Sequence, residues 1–424
     1  MRKLAVVVVF LVILSLTFIF PAFFKYDEQS LSRNDDVSSR LYSMGYLDYA
    51  VDKSGSPDYG VRVYDVNRSY PGLNLFTFVN TNNTYLMDGK GTILHNWEVK
   101  AEKGWVFSRL TSDGNLFLLP QHFGLTNYLA YVNDKSNILW RITGNFHHDL
   151  FEYNNSFYSL YMEKRMLSDE EKFSYTLTLL GEDNTFRAVD VNPDSILDML
   201  IVKISPEGEI TDRISLYDLF QKNEDVLSHR ELMEVNIVNV DDWSAFGDEL
   251  SITFGDIFHA NSVYVFENDT LISEKGDIMV CIRNQDLIIV FDPEAEKIKW
   301  WWGKNELDRP HHATYLENGN ILVFDNGMFR NYSRVVEVNP MTHEIAWEYV
   351  ADQPESFHTT SQGGAQRLPN GNTLITESNH GRVFEVTKDG EIVWEYVTPY
   401  LNDNRRYVIY RMERIPPEQI NFLK

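Results

Sequence analysis

The sequence predicts an all-β protein, a six-bladed β-propeller preceded by an N-terminal transmembrane helix. Three observations carry that prediction: a four-strand unit with turn chemistry between its strands, the recurrence of that unit along the chain, and one long uncharged apolar run near the start.

The unit is clearest at residues 309–350, RPHHATYLENGNILVFDNGMFRNYSRVVEVNPMTHEIAWEYV. HATYL, ILVFDN, RVVEVN and EIAWEYV are rich in β-branched and aromatic residues, and an Asn318-Gly319 turn separates the first two. Such runs bounded by turn residues predict a four-stranded antiparallel meander. One such sheet cannot bury both faces, and the chain supplies the copies it needs. The second half of the unit recurs at 85–97, 131–140, 202–214, 289–303, 337–347 and 384–394. The first half recurs at 105–120, 147–161, 259–273, 311–324 and 363–377. Five complete units and one outer half make six propeller blades. The inner strand of the incomplete blade is expected from YVIYRME, residues 407–413, so that both chain ends close the ring and remove its open edge.

Met1-Arg2-Lys3 precedes 21 uncharged residues, 4–24, dominated by Val, Leu, Ile and Phe. As a helix rising about 1.5 Å per residue, this run matches the roughly 30 Å of a bilayer's hydrocarbon core. PAFFKYD, across its C-terminal end, is a poor cleavage site, so an uncleaved anchor is expected. Arg2 and Lys3 orient it with the rest of the chain outside the cytoplasm, a single-pass cell-membrane protein. Triplets for N-glycosylation at Asn67, Asn82, Asn154, Asn268 and Asn331 are compatible with export. The expected organisation is an anchor at 1–25, a stalk at 26–66 with one short helix, and the propeller at 67–424. Insertions at about 163–200 and 216–258 interrupt the blade rhythm, and loops of that length in a compact domain commonly carry function.

Composition narrows the partners. With 38 basic and 62 acidic residues the net charge is −24, which excludes nucleic acid, and an anionic substrate would need a local cationic site. The lone Cys281 permits no internal disulfide.

Blade topology then sorts the histidines. An inner strand starts on the face where the second strand ends, so those two ends share one rim. His147, His148, His259, His311 and His312 precede or open inner strands, and His122 and His380 follow second strands. His358 sits in a connection on the same rim, so eight of eleven histidines converge on one face, and only His95, His229 and His343 do not fit. Arg330, in DNGMFR, also follows a second strand. Imidazoles with a guanidinium at the mouth of the axis suit an oxyanion, because Arg offers a planar fork of donors and His can donate, accept or attack. Any one of these histidines, taken singly, reads more readily as a hydrogen-bonded capped strand end than as a catalyst; eight on one face bring the two readings level for the set. A metal site is the other sharp reading, since imidazole is a common ligand; few carboxylates or thiolates stand at ligand spacing, so no metal and no cofactor are expected. The Trp residues ending most outer strands, with Trp300-Trp301-Trp302, read as blade packing.

At these residues the chain resembles the arylsulfotransferase family of six-bladed propellers that use no nucleotide sulfate donor. The segments carrying the resemblance are YPGLNLFT, LMDGKGTILHNW, FHHDLFEY, DIFHANSV, RPHHATYLENGNILVFDNGMFR and GGAQRLPNGNTLITESNHGRVFEVTKDGEIVWEYV, spanning about residues 60–415. The resemblance implies transfer of a sulfuryl group between phenols through a sulfohistidine. It makes His380 the nucleophile, with His259, His312 and Arg330 in support. His148, His311, His358 and Asn326 on the same rim are the candidate substrate-binding residues. Its single Cys281 cannot form the disulfide of the bacterial enzymes, and where they carry a β-sandwich this sequence reads as anchor and stalk. A non-catalytic propeller that binds a glycan or protein through the same funnel, and a metal-dependent hydrolase or lyase, are the competing functions.

Overall fold

The computed structural model describes residues 49–51, 59–120, 127–172, 175–180, 186–191, 194–233, 256–402 and 405–423. Six antiparallel sheets, each of at least four strands, form the blades of a propeller. From the inside out, blade 1 is Glu413–Ile415, Leu73–Thr77, Asn83–Met87 and Ile93–Glu98. Blade 2 runs Trp105–Leu110, Leu116–Pro120, Tyr128–Val132 and Ile138–Thr143. Blade 3 is Phe146–Tyr153, Ser156–Met166, Ser195–Ile204 and Ile210–Ser215, and blade 4 is Ala260–Val265, Ile278–Ile282, Leu287–Asp292 and Lys297–Trp302. Blade 5 runs His311–Tyr315, Ile321–Asp325, Arg334–Val338 and Ile345–Tyr349. Blade 6 is Gly364–Arg367, Thr373–Glu377, Arg382–Val386 and Ile392–Val397, with Gly60–Tyr64 added as a fifth, outermost strand. Strand structure is expected from about Val61, and it begins at Gly60. Val61 and Val63 pair against Tyr396 and Glu395, covering the edge of blade 6.

The strand types follow from their neighbours. Second and third strands have sheet on both sides and blades on both faces, so ILVFD and LIIVF are buried throughout. Outer strands show one face to solvent, and KIKWWW alternates exposed and buried. Trp300 and Trp302 are buried, while Trp301 is 40% exposed. The Asn318-Gly319 turn forms as its sequence dictates: Gly319 takes φ +86°, and the Leu316 N–H donates to Asn320 O at 2.8 Å.

Outer strands also bolt each blade to the next. The indole N–H of Trp140, Trp300, Trp347 and Trp394 donates to Pro206 O, Pro340 O, Lys388 O and Gly89 O respectively, at 2.8–2.9 Å. Each acceptor lies in the turn between third and outer strands of the following blade. At the blade 1–2 junction His95 Nε2 takes that role against Asp134 O, 2.8 Å away. At the blade 3–4 junction, Asn223 Nδ2 donates to Glu296 O at 2.9 Å, just after a helix at Leu216–Lys222. His95 therefore belongs to blade packing, which accounts for its absence from the histidine rim.

Ring closure differs from expectation in register. The closing inner strand is Glu413–Ile415, pairing Leu73 with Ile415 and Leu75 with Glu413, and a further bridge joins Phe78 to Ile409. Three steps along one strand (75 to 78) face four along the other (409 to 413), so the C-terminal run holds one extra residue, a bulge. Tyr410, Arg411 and Met412 occupy it.

Both insertions leave from the histidine rim. The first continues the second and third strands of blade 3, which are 11 and 10 residues long, and carries a hairpin of Tyr175–Leu180 with Phe186–Val191. The second holds the helix Leu216–Lys222 and a short helix His229–Met233, whose Leu219, Phe220, Leu232 and Met233 join the core between blades 3 and 4. His122, the apolar run at 4–24 and the stalk helix lie outside the described residues. Among the described residues no helix is long and apolar enough to cross a membrane.

Candidate active site

Inner-strand starts bring four imidazoles together at the axis. Ring centroids of His147 and His148 are 4.5 Å apart, His148 and His259 4.8 Å, His147 and His259 6.2 Å, and His148 and His311 6.4 Å. Tyr410, from the C-terminal bulge, stacks on His148 at 5.5 Å. All five side chains are buried.

The backbone that presents them is strained. His148, His259 and His312 have φ of 65°, 47° and 50°, and Gln362 in blade 6 has 60°. The ladders of blades 3, 4 and 5 shift register at these points. A non-glycine residue in the left-handed region costs about 1–3 kcal/mol and persists only where the surroundings over-determine it. Three histidines held this way, in successive blades, mark a site rather than generic strand capping.

Each imidazole is held differently. Asp256 receives the His259 backbone N–H at 2.9 Å and faces its Nδ1 at 2.5 Å, while His259 Nε2 lies 3.0 Å from His148 Nε2. One proton must therefore sit between two ring nitrogens. His311 Nδ1 donates to Asn326 Oδ1 at 2.7 Å and its Nε2 accepts the Gln362 N–H at 3.3 Å, so both nitrogens are used and the ring is neutral. Burial, reinforced by the Arg283 guanidinium, holds His311 well below the usual histidine range. Asn326 in turn donates to Thr359 O and Gln362 O, which makes it a tie between blades 5 and 6. Burial also holds His312 well below its usual range, helped by the charges of Arg411 and Arg109. His312 lines an axial cavity of about 380 Å³ together with Arg109, Asp149, Glu413 and Arg414. There Asp149 Oδ1 binds Arg411 Nη2 at 2.5 Å and Arg109 Nη2 at 3.2 Å.

His380 stands apart from the four clustered rings. It ends a short 3-10 turn, Ser378–His380, after the second strand of blade 6, and its side chain is 42% exposed. Its Nδ1 lies 2.9 Å from Glu377 Oε1, which also receives the His358 N–H at 3.1 Å; Arg382 Nη1 lies 3.1 Å from Glu377 Oε2. Burial pushes the Glu377 carboxyl up, but His380 and Arg382 outweigh it and keep the group below the usual carboxylate range. Burial lowers His358. Hydrogen bonds join the two groups: Asn379 Oδ1 accepts from Thr359 Oγ1 at 2.5 Å, and Thr359 O accepts from Asn326, the partner of His311.

Arg330 pairs with Asp325 Oδ2 at 3.0 Å and lies over the Tyr332 ring. The guanidinium charges that hold these imidazoles down are those of Arg283 on His311, and of Arg411 and Arg109 on His312. Of these cations sequence reasoning singled out only Arg330. Arg283 had a signal: it follows the second strand of blade 4 at the position Ser378 holds in blade 6, both before a left-handed cap at Asp286 and Gly381.

The model of the arylsulfotransferase (ASST) family matches residues 129–398, more than half of the 424. No curated protein matches the sequence. Solved structures that resemble it include a Bacteroides caccae protein of unknown function, 13% identical, covering 82% of this chain and 99% of that one with a TM-score of 0.46. Virginiamycin B lyase from Staphylococcus aureus is 11% identical, covering 84% of this chain and 89% of that one, with a TM-score of 0.41. The repeat, the ring and the rim histidines agree with the family match, and the chain belongs to the arylsulfotransferase family.

Proposed function

We propose that this chain moves a sulfuryl group from a phenolic sulfate ester to a second phenol through a sulfohistidine intermediate, without a nucleotide sulfate donor. The observation that carries the proposal is the cluster of buried imidazoles at the axis, with His148 Nε2 and His259 Nε2 3.0 Å apart, in a chain of this family. Such a pair can hold one proton for a departing aryl oxide and take one from an incoming phenol.

In this reading His380 Nε2 attacks sulfur as the S–O bond to the aryl oxide breaks, and His259 protonates that oxide. The acceptor phenol then returns its proton to His259 as its oxygen takes the sulfuryl group, so protons and charge balance over the cycle. The sulfuryl oxygens stay anionic throughout. Arg330 and a neutral His312 supply donors to them, and losing one preorganised donor typically costs about 10²–10³ in rate. The chain is anchored by the apolar run at 4–24, with the ring outside the cytoplasm, where phenols and their sulfate esters are its substrates. His380→Ala abolishes exchange between aryl sulfates and phenols while circular dichroism shows the fold retained; full exchange in that variant would remove His380 from the mechanism.

A further inference from the structure

The axial cavity beneath the imidazoles is walled by the later halves of all six inner strands, and its two sides are chemically unlike. Phe151 of blade 3, Tyr264 of blade 4 and Tyr315 of blade 5 line one arc. Their rings are neighbours, with centroids 4.8 Å apart between Phe151 and Tyr264 and 6.5 Å between Tyr264 and Tyr315. Arginines line the other arc: Arg367 of blade 6, Arg414 of blade 1 and Arg109 of blade 2. In a chain of net charge −24, this lining sets three arginines against two acids, Asp149 and Glu413.

Both acids are already engaged. Asp149 Oδ1 binds Arg411 Nη2 and Arg109 Nη2, and Glu413 Oε1 lies 2.9 Å from Arg109 Nη2. Donors are nevertheless left over. Among the described residues, Arg109 Nε and Arg414 Nη2 are buried with no hydrogen-bond acceptor. The Arg414 side chain is 1% exposed, and its other nitrogens serve Asn74, Tyr70 and Glu385. Buried donors without acceptors are rare, because they give up hydration and regain nothing, and an anion restores the loss with strong charge-assisted bonds. At about 380 Å³ the cavity has the size of a small-molecule site. Water would satisfy the donors but not the aromatic arc, and an apolar ligand would do the reverse. One small molecule carrying both a ring and a negative charge matches both arcs at once.

We propose that this chamber is a second binding site, for a small aromatic anion, with the ring against Phe151, Tyr264 and Tyr315 and the anionic group on Arg109 and Arg414. His312 closes its inner end, while Leu316, just before the Asn318-Gly319 turn, stands at the end away from the histidine rim. The site is separate from the transfer chemistry proposed above and holds whether or not the chain moves a sulfuryl group.

The test uses the full-length protein and 4-bromobenzenesulfonate, an aromatic anion whose C–S bond leaves no aryl oxide to depart. Isothermal titration calorimetry measures its affinity in solution, and anomalous scattering places the bromine in crystals of the complex. Bromine is expected within the aromatic arc, with the sulfonate toward Arg109 and Arg414. Arg109→Gln should weaken binding about tenfold or more. Tyr315→Ala, which changes no charge, should weaken it several-fold; circular dichroism reports that each variant is folded. Should Arg109→Gln fail to fold, Tyr315→Ala and the bromine position decide the matter. Bromine found only among the rim imidazoles, binding at crystal concentration only, or an affinity unchanged in either folded variant overturns the site.

Discussion

Arg414 and Glu385 close the ring, and the cost of parting them can be worked from their surroundings. Arg414 lies in the closing strand of blade 1 and Glu385 in the third strand of blade 6, with side chains 1% and 0% exposed. Arg414 Nη1 sits 2.8 Å from Glu385 Oε2 and also donates to Tyr70 O at 3.0 Å, while Nε donates to Asn74 Oδ1 at 2.6 Å. The guanidinium lies 4.6 Å from the centre of the Trp394 ring. Arg414→Met fills much of that volume but strands a buried carboxylate, whose remaining donors are the Tyr70 N–H and Asn372 Nδ2. Removing one partner of a buried pair costs about 3–5 kcal/mol, and the orphaned Tyr70 and Asn74 oxygens place this case near the upper end. At about 4 kcal/mol the unfolding equilibrium shifts roughly a thousandfold, and Tm falls by about 5 °C. Scanning calorimetry at one scan rate on wild type, Arg414→Met and Arg414→Met/Glu385→Gln measures it. The double variant, with no charge left to strand, should regain at least half the loss. A single variant within about 1 kcal/mol of wild type, or a double variant no better than the single, would refute the reasoning.

Two further outcomes follow from the site. Because His311 and His312 are held well below the usual range in the folded state, the unfolded chain alone takes up their protons as pH falls through about 6.5. Their contribution is full above that pH and is lost below it, by on the order of 1 kcal/mol for each group at pH 5.5; urea unfolding at pH 7.5 and 5.5 should show a fall that is smaller in His312→Gln, and an unchanged fall counts against it. Gly381, which caps the turn carrying His380, has φ +58°, and a Cβ there would lie 2.1 Å from Thr398 Oγ1 and 2.5 Å from Tyr407 O. Gly381→Ala should therefore shift the turn and cut turnover at least about tenfold with the β-sheet signal retained; wild-type turnover would show that His380 tolerates the shift.

The six blades were legible because each strand carries its own signature: apolar-rich second and third strands, alternating outer strands and Gly-containing turns. The rim histidines were legible for the same reason, since strand order alone fixes which ends share a face. What was not legible depends on contacts between distant parts of the chain. The extra residue in the closing strand, which places Tyr410 on His148, arises only when the two ends of the sequence pair. Trp recurrence was visible, but not that the indole N–H reaches the next blade's turn, nor that His95 substitutes for Trp there. Arg411 and Asp256 were hidden among 38 basic and 62 acidic residues, because only the fold selects the few that face an imidazole.

The central claim is that a histidine carries the sulfuryl group. The most direct measurement is the intact mass, then the peptide map, of the full-length protein after brief exposure to a chromogenic aryl sulfate. The account predicts a gain of one SO₃ on the peptide containing His380, with an equivalent of phenol released and the adduct discharged by added phenol. Phenol release with no adduct on any histidine, or neither phenol nor adduct in a folded sample across several aryl sulfates, would contradict it.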